Sequence, residues 1–431
     1  MSTAPALDEP LPASLVVRTV ALDDLPAGHD PADLLALLPG VGQLAWVRRG
    51  DGLVGWGEAW RVEVDGPDRF ETARAAWRAL VARTLVRDDV QLPGTGPVAF
   101  GTFSFDERSP AGGTLVMPSV LVGRRDGRTW LTTVGNQLAA PPRLDVAPEP
   151  VLDPGTVTQR AGTVDDEAWQ QVVAHGVRAI RAGRLDKVVL ARDIVARTER
   201  PLDVRWALAR LADRYDMCWT FAVDGLIGAT PELLVRVERG LVTSRVLAGT
   251  IRRTGDDDAD LARAAILAHS SKDLEEHEYA VSSVAHALAP FCSSANVPDV
   301  PFVLSLPNVL HLASDVTGVL SGQHASSLAL AQALHPTAAV CGTPTATALD
   351  LLRELEQMDR GRYAGPVGWL GADGDGEWGI ALRSAQVDRD DPHRVRLFAG
   401  CGVVAASDPA AELAESEAKL EPMRYALGLI D

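Results

Sequence analysis

The sequence predicts an α+β protein with large antiparallel β-sheets at its core and helices flanking them. Three observations carry this reading. Strand-like segments are often joined by short turns rather than long crossover helices, and such tight links suit antiparallel neighbours. No GxGxxG opens a helix after a strand and no GxxxxGK[ST] occurs, so dinucleotide-binding and P-loop layouts find no support. Apolar residues make up 46 % and charged residues 23 % of 431 residues, enough to bury a large core and to exclude global disorder.

The elements follow in chain order. Residues 14–22, SLVVRTVAL, read as a strand. Hairpins are expected around Asp51-Gly52 and Asp126-Gly127, each an Asp-Gly turn between β-rich flanks. Between them, Phe70 to Val86 carries Ala73, Ala76, Trp77, Leu80 and Val81 at helical spacing. Residues 97–105 read as a further strand. Residues 136–164 are rich in Pro, Asp and Thr without a sustained period, which predicts a connection. Asp165 to Arg184 reads as a helix, acidic at its start and basic at its end, as the helix dipole favours. Strands are expected at 185–196 and 217–225, and paired strands over 225–250 turning at Arg239-Gly240. Helices are expected at 259–268, 272–290 and 346–360, strands at 366–371, 377–387 and 394–404, and a last helix at 409–427. No repeat of fixed period is seen.

Charge narrows the function. The net charge of −17 disfavours nucleic acid or an anionic membrane as partner, since phosphate binding needs clustered cations. A small anion needs only a few local ones. The four cysteines form no Cys-x-x-Cys pair, so zinc ribbons and thioredoxin-type motifs are not expected. The first residues, MSTAPALDEPLPAS, lack a signal peptide's basic start and apolar run. No apolar run approaches the roughly 20 residues that span a bilayer. A soluble cytoplasmic protein is expected.

Several positions could carry chemistry. Glu412 and Glu415 are three apart and share a helix face, and Glu415 can pair with Lys419 four residues on. Residues 272–290 hold Glu275, Glu276, His277 and Glu278. Carboxylates meeting from two helices would suit Mg²⁺, although charged helix faces are usually just solvated. Lys187 alternates with Val189 and Ala191, an apolar face that would desolvate its amine and suit a base; the plainer alternative is a strand-edge lysine snorkelling to water. Glu232 opens an apolar strand after Gly-Ala-Thr-Pro, and buried there it would be a general acid; at a strand end it would be a surface residue. Gly400 and Gly402 allow a ligand to approach backbone N–H groups, or mark a bulge. Arg383 is a lone cation in an apolar strand and needs an anion. His311 is a catalyst or a satisfied core histidine.

Taken in order, these residues resemble the chorismate-utilising enzymes: isochorismate, salicylate, anthranilate and aminodeoxychorismate synthases. The resemblance rests on KVVLAR (187–192), GATPELLVR (228–236), LAGT (247–250), SSKDLEEHEYAV (270–281), HL (311–312), LHPTAAVCGTP (334–344), RGRYAGPVGW (360–369), IALRSA (380–385), FAGCGVV (398–404) and SDPAAELAESEAKL (407–420). These ten segments span 187–420, about 235 residues. The N-terminal 135 residues match only in general character.

The resemblance implies the chorismate-binding enzyme fold. A β-rich portion, residues 1–150, completes the sheets of a catalytic core, residues 151–431, in one continuous unit. It also implies a reaction. Lys187 stands where ammonia-using synthases carry Gln, and Lys there goes with water as nucleophile. Ala339 stands where anthranilate and salicylate synthases carry Thr. Lys with Ala resembles isochorismate synthase, which converts chorismate to isochorismate. Neutral Lys187 would activate a water that adds to C2, and protonated Glu232 would protonate the departing C4 hydroxyl. Mg²⁺ would sit on the ring carboxylate, held by Glu276 and Glu415, with Glu412 binding through water. Tyr363, Arg383 and the backbone at Gly400 and Gly402 would hold carboxylates, and Gly249, Thr250, His311 and Lys419 would line the pocket. The implied product feeds menaquinone or siderophore synthesis, by a monomer without an amidotransferase partner. The alternatives are salicylate synthase, an amine-adding synthase subunit, and a non-catalytic chorismate-binding relative. GATPE in place of the commoner GASPE, and Ser314-Asp315 after His311, are the departures from the family pattern.

Overall fold

The computed structural model describes residues 15–22, 33–136, 143–144, 149–322 and 325–430, with backbone alone at Lys272 and Glu276. The N-terminal stretch 1–14 and parts of the 136–164 connection lie outside the described residues.

Two antiparallel-dominated sheets, of 13 and 10 strands among the described residues, form the centre. A parallel pair, Val16↔Leu85, stands at the edge of the larger. In each sheet a block of strands from the N-terminal portion abuts a block from the rest of the chain. In the larger sheet Leu44–Arg48 pairs with Trp219–Val223 (Thr220↔Val47). In the smaller, Val98–Phe103 pairs with Pro366–Gly371 (Val367↔Thr102). The sheets face each other through a cluster rich in aromatic rings, including Trp46, Phe100, Trp130, Trp219, Phe221 and Trp369. The helices Val204–Arg214 and Pro409–Ala426 share a second cluster with the larger sheet. The helices Arg69–Val81, Asp166–Arg181, Ser327–Leu334 and Thr345–Leu355 contribute to a third. Burying apolar area at ~25 cal/mol per Å² is what holds such layers together.

Most expected elements stand within a few residues of their places, and the exceptions have physical reasons. The first hairpin turns at Arg49-Gly50, both with positive φ (54° and 76°), not at Asp51-Gly52, because Arg48 pairs directly with Asp51. The second turns at Asp126-Gly127 with φ of 50° and 78°, as expected. The helix expected over Phe70 to Val86 ends at Val81, and Leu85–Asp88 forms an edge strand. The connection contains a strand, Val157–Ala161, paired with the far end of Lys187–Thr198. The sequence reading assigns no element to Val204–Arg214 or Ser327–Leu334. The first is capped by Asp203 and buries Ala207, Leu208 and Leu211 at helical spacing; the second is apolar on nearly every side and shows no amphipathic period. The helix expected over 346–360 ends at Leu355, where Glu356 turns extended (ψ 110°). Residues 377–387 form two strands, Gly376–Ile380 and Ser384–Val387, because the chain changes sheets between them. Among the described residues no helix is long and apolar enough to cross a membrane.

Candidate active site

The site grows from two places where the chain crosses between sheets. Leu226–Thr230 belongs to the larger sheet and Leu233–Glu238 to the smaller, so Pro231 and Glu232 make one crossing. Arg383 ends the other, from Gly376–Ile380 back to Ser384–Val387. The crossings are bonded together: Ile380 N–H donates to the Glu232 carbonyl and Ala229 N–H to the Arg383 carbonyl, both at 3.2 Å. Arg383 is buried with φ at +49°, a left-handed conformation that persists only where its surroundings impose it. Leaving a strand ladder frees these residues to aim side chains into the space between elements.

That space is a cavity of about 170 Å³. Lys187, Glu232, Gly249, Thr250, His311, Ala339, Tyr363, Arg383, Gly400, Gly402, Glu412, Glu415 and Lys419 all line it. The structure thus brings together every expected site residue except Glu276, whose side chain lies outside the described residues.

Glu232 is 5 % exposed, which rules out a strand-end surface residue. Burial pushes its carboxyl up to about 7, against the pull of Arg383, a backbone hydrogen bond at Leu247, Lys187 and Lys419. A carboxyl poised there can hold and release a proton at neutral pH. Lys187 opens the strand Lys187–Thr198, half-buried, and Val189 and Ala191 follow it along the cavity wall. The alternation therefore faces the cavity, not open water.

His311 is neutral. Burial, then Arg383 and Lys419, push its pKa down to about 3. Arg383 Nη2 lies 3.4 Å from Nε2 and can only donate, so Nε2 accepts and Nδ1 carries the hydrogen, 3.0 Å from Thr250 Oγ1. Gly249 is the extra residue of a bulge between Ala248 and Thr250, with φ of +74°. At Gly400 a Cβ would stand 3.1 Å from the Leu190 carbonyl and 3.3 Å from the Tyr363 hydroxyl, so bare backbone forms that wall. Tyr363 stacks on Phe398 (centroids 5.1 Å apart, planes at 10°).

Another wall is helical. Lys419 Nζ sits 2.6 Å from Glu415 Oε1 and donates to the Gly400 carbonyl at 2.9 Å. Burial works against this ammonium, but Glu415 holds it above the ordinary lysine range. Glu412, Glu415 and Cys401 place potential ligand atoms within 4.8 Å of one another. Burial raises the Cys401 thiol, which donates to the Glu412 carbonyl at 3.2 Å, so it stays protonated and contributes no thiolate. The usable donors are carboxylate oxygens, a set that fits a hard cation such as Mg²⁺.

Asp273, a carboxylate the sequence reading leaves out, also lines the cavity. Its signal was available: Asp273 and Glu276 repeat on their helix the three-residue spacing of Glu412 and Glu415. Arg360, likewise left out, lines the same cavity.

A carboxyl at neutral poise sharing a cavity with a lysine, beside cations and a carboxylate cluster, defines an acid–base site for a small anion. The chain belongs to the chorismate-binding enzymes, whose family model matches residues 46–428. It is 40 % identical over 276 residues to the isochorismate synthase DhbC of Bacillus subtilis, covering 62 % of this chain and 69 % of the relative. The salicylate biosynthesis isochorismate synthase of Pseudomonas aeruginosa is 33 % identical over 99 % of this chain and 92 % of its own length. The structure of the menaquinone-specific isochorismate synthase MenF from Escherichia coli superposes with a TM-score of 0.77 at 25 % identity, over 98 % of this chain and 97 % of that one.

Proposed function

We propose that this chain is a Mg²⁺-dependent isochorismate synthase that converts chorismate to isochorismate by adding water at C2 and losing the C4 hydroxyl. The observation that carries the reading is the meeting of Lys187 and Glu232 in one cavity, with burial holding the Glu232 carboxyl near 7. Lys187 takes a proton from water as its oxygen bonds to C2. The ring double bonds shift, the C4–O bond breaks, and the leaving oxygen takes the Glu232 proton and departs as water. Atoms balance, so the net change is an isomerisation. Arg383 and Lys419 supply positive charge for the substrate's carboxylates, and the bare backbone at Gly400 leaves them room. Glu412, Glu415 and Glu276 would hold Mg²⁺, with Asp273 close by on the cavity wall. When bound, the metal would offset the ring carboxylate's charge and turn an acidic wall into an anion site. Ala339 on the wall supports hydroxyl transfer over pyruvate loss, as the family resemblance implies.

The test is product analysis by chromatography after incubating purified protein with chorismate and Mg²⁺. Isochorismate is expected. No turnover, or salicylate with pyruvate and no second enzyme, would overturn the reading.

A further inference from the structure

The strand that carries Lys187 has a gap along one edge. Lys187 and Val188 pair with Thr343 and Gly342, and Val189 N–H donates to the Cys341 carbonyl at 2.9 Å. Backbone pairing on that side resumes only at Ile194, opposite Ala161. Side chains fill the space between. Arg360 Nη2 donates to the Val189 carbonyl at 2.6 Å. Ala191 N–H donates to Glu356 Oε1 at 2.7 Å, and Trp169 Nε1 donates to the Ala191 carbonyl at 3.1 Å. Glu356 and Arg360 are themselves a bidentate pair at 2.8 and 2.5 Å, each side chain only 4 % exposed. A carboxylate accepting from N–H beside a guanidinium donating to C=O reproduces the bonding pattern of a missing strand.

The same guanidinium reaches further. Arg360 Nη1 donates to the Val340 carbonyl at 2.9 Å, next to Ala339, and Tyr363 N–H closes a turn onto the Arg360 carbonyl at 3.1 Å. The ion pair thus ties the Lys187 strand to the Ala339 loop, and the Arg360 backbone leads directly into the Tyr363 turn, so three parts of the cavity wall meet at this residue. A buried ion pair is weak evidence for stability, because removing both charges from water offsets most of their attraction. Fixing geometry explains its presence better, and misplacing a reacting group by about 1 Å costs up to ~100-fold in rate.

We propose that Glu356 and Arg360 are positioning residues: together they stand in for a β-strand and hold Lys187 in register against the substrate. The proposal rests on the reading of Lys187 as base. Three variants and two readouts test it. Arg360→Lys keeps the charge but cannot reach Glu356, Val189 and Val340 at once, so kcat is expected to fall about 10–100-fold with KM changed less than about threefold. Backbone amide exchange over 187–192 is expected to speed up. Glu356→Gln keeps an acceptor for Ala191 N–H and should retain most of kcat and of the exchange protection, whereas Glu356→Ala should lose both. Should the alanine variant fail to fold, the other two still decide. Wild-type kcat in folded Arg360→Lys, with exchange unchanged, would overturn the proposal. So would equal loss in Arg360→Lys and Glu356→Gln without faster exchange, the mark of a general defect. Lys187→Ala separates the two ideas. If it turns over normally, the base reading falls while exchange still judges the clamp. If it is inactive and Arg360→Lys is normal, only the clamp falls.

Discussion

The two walls of the cavity are built differently. On the strand wall, Lys187, Glu232 and Arg383 hang from backbone tied into sheets or into the crossings between them. On the helical wall, Glu412, Glu415 and Lys419 project from one exposed-sided helix, and Asp273 comes from another. The strand wall fixes positions. The helical wall gathers charge, and its Glu415–Lys419 contact is a pairing of long side chains rather than a backbone constraint. A group that moves a proton needs the first kind of support, and a group that attracts an ion can use the second.

The sharpest way to break this contrast is to remove the proton-handling groups. Lys187→Ala and Glu232→Gln are each expected to lower turnover roughly 10²–10⁴-fold, the usual scale for general acid–base help. Steady-state rates with chorismate check this, and near-normal turnover in either variant would remove that residue from its role. Next in size, Glu415→Ala is expected to raise the Mg²⁺ concentration giving half-maximal rate by about 10–100-fold, the scale of disturbed metal shells. An unchanged metal titration would mean that the helical wall holds no metal through this residue.

The walls also differed in how far they could be read from residue order. Strand alternation exposed Lys187, Val189 and Ala191 as one face, because a period of two survives wherever one face meets a cavity. Glu412 and Glu415 were legible as a pair, yet any solvated helix shows such spacing, so only the family resemblance singled them out. Glu356 and Arg360 were hidden by a plausible error. Residues 346–360 carry helical spacing, and an i,i+4 Glu–Arg pair inside a helix reads as a surface bridge. The helix stops at Leu355, and the pair bonds a strand edge 165 and 171 residues earlier in the chain. That gap is created by tertiary pairing and leaves no local trace. The crossings at Glu232 and Arg383 are similar: sequence marked the residues, but not that two strands change sheets there.

A smaller effect sharpens the role of bare backbone. Gly400→Ala would bring a methyl within 3.1 Å of the Leu190 carbonyl and 3.3 Å of the Tyr363 hydroxyl. Overpacking of this kind costs about 1–3 kcal/mol, here taken from substrate room more than from the proton-transfer geometry. KM is expected to rise about tenfold, with kcat within about threefold, in the same assay. A fall in kcat alone would place Gly400 on the acid–base side instead.

The smallest effect is one of stability, and its sign separates the walls. Glu232 has its carboxyl raised from 4.5 to about 7 by burial. The stability gained by keeping it protonated is fully present below about 4.5 and is lost as pH rises through about 7, because the folded chain must then carry a buried charge that the unfolded chain hydrates freely. Glu232→Gln cannot ionise, so its thermal midpoint should exceed that of the parent by about 1–4 °C at pH 8.5, and the gap should close toward pH 5. Glu415→Ala should do the opposite at both pH values, since it leaves the largely buried Lys419 ammonium without its carboxylate. Melting curves of the two variants beside the parent at both pH values measure this directly. If Glu232→Gln melts with the parent at pH 8.5, the carboxyl is not held neutral by its surroundings, and the strand wall loses its proton donor.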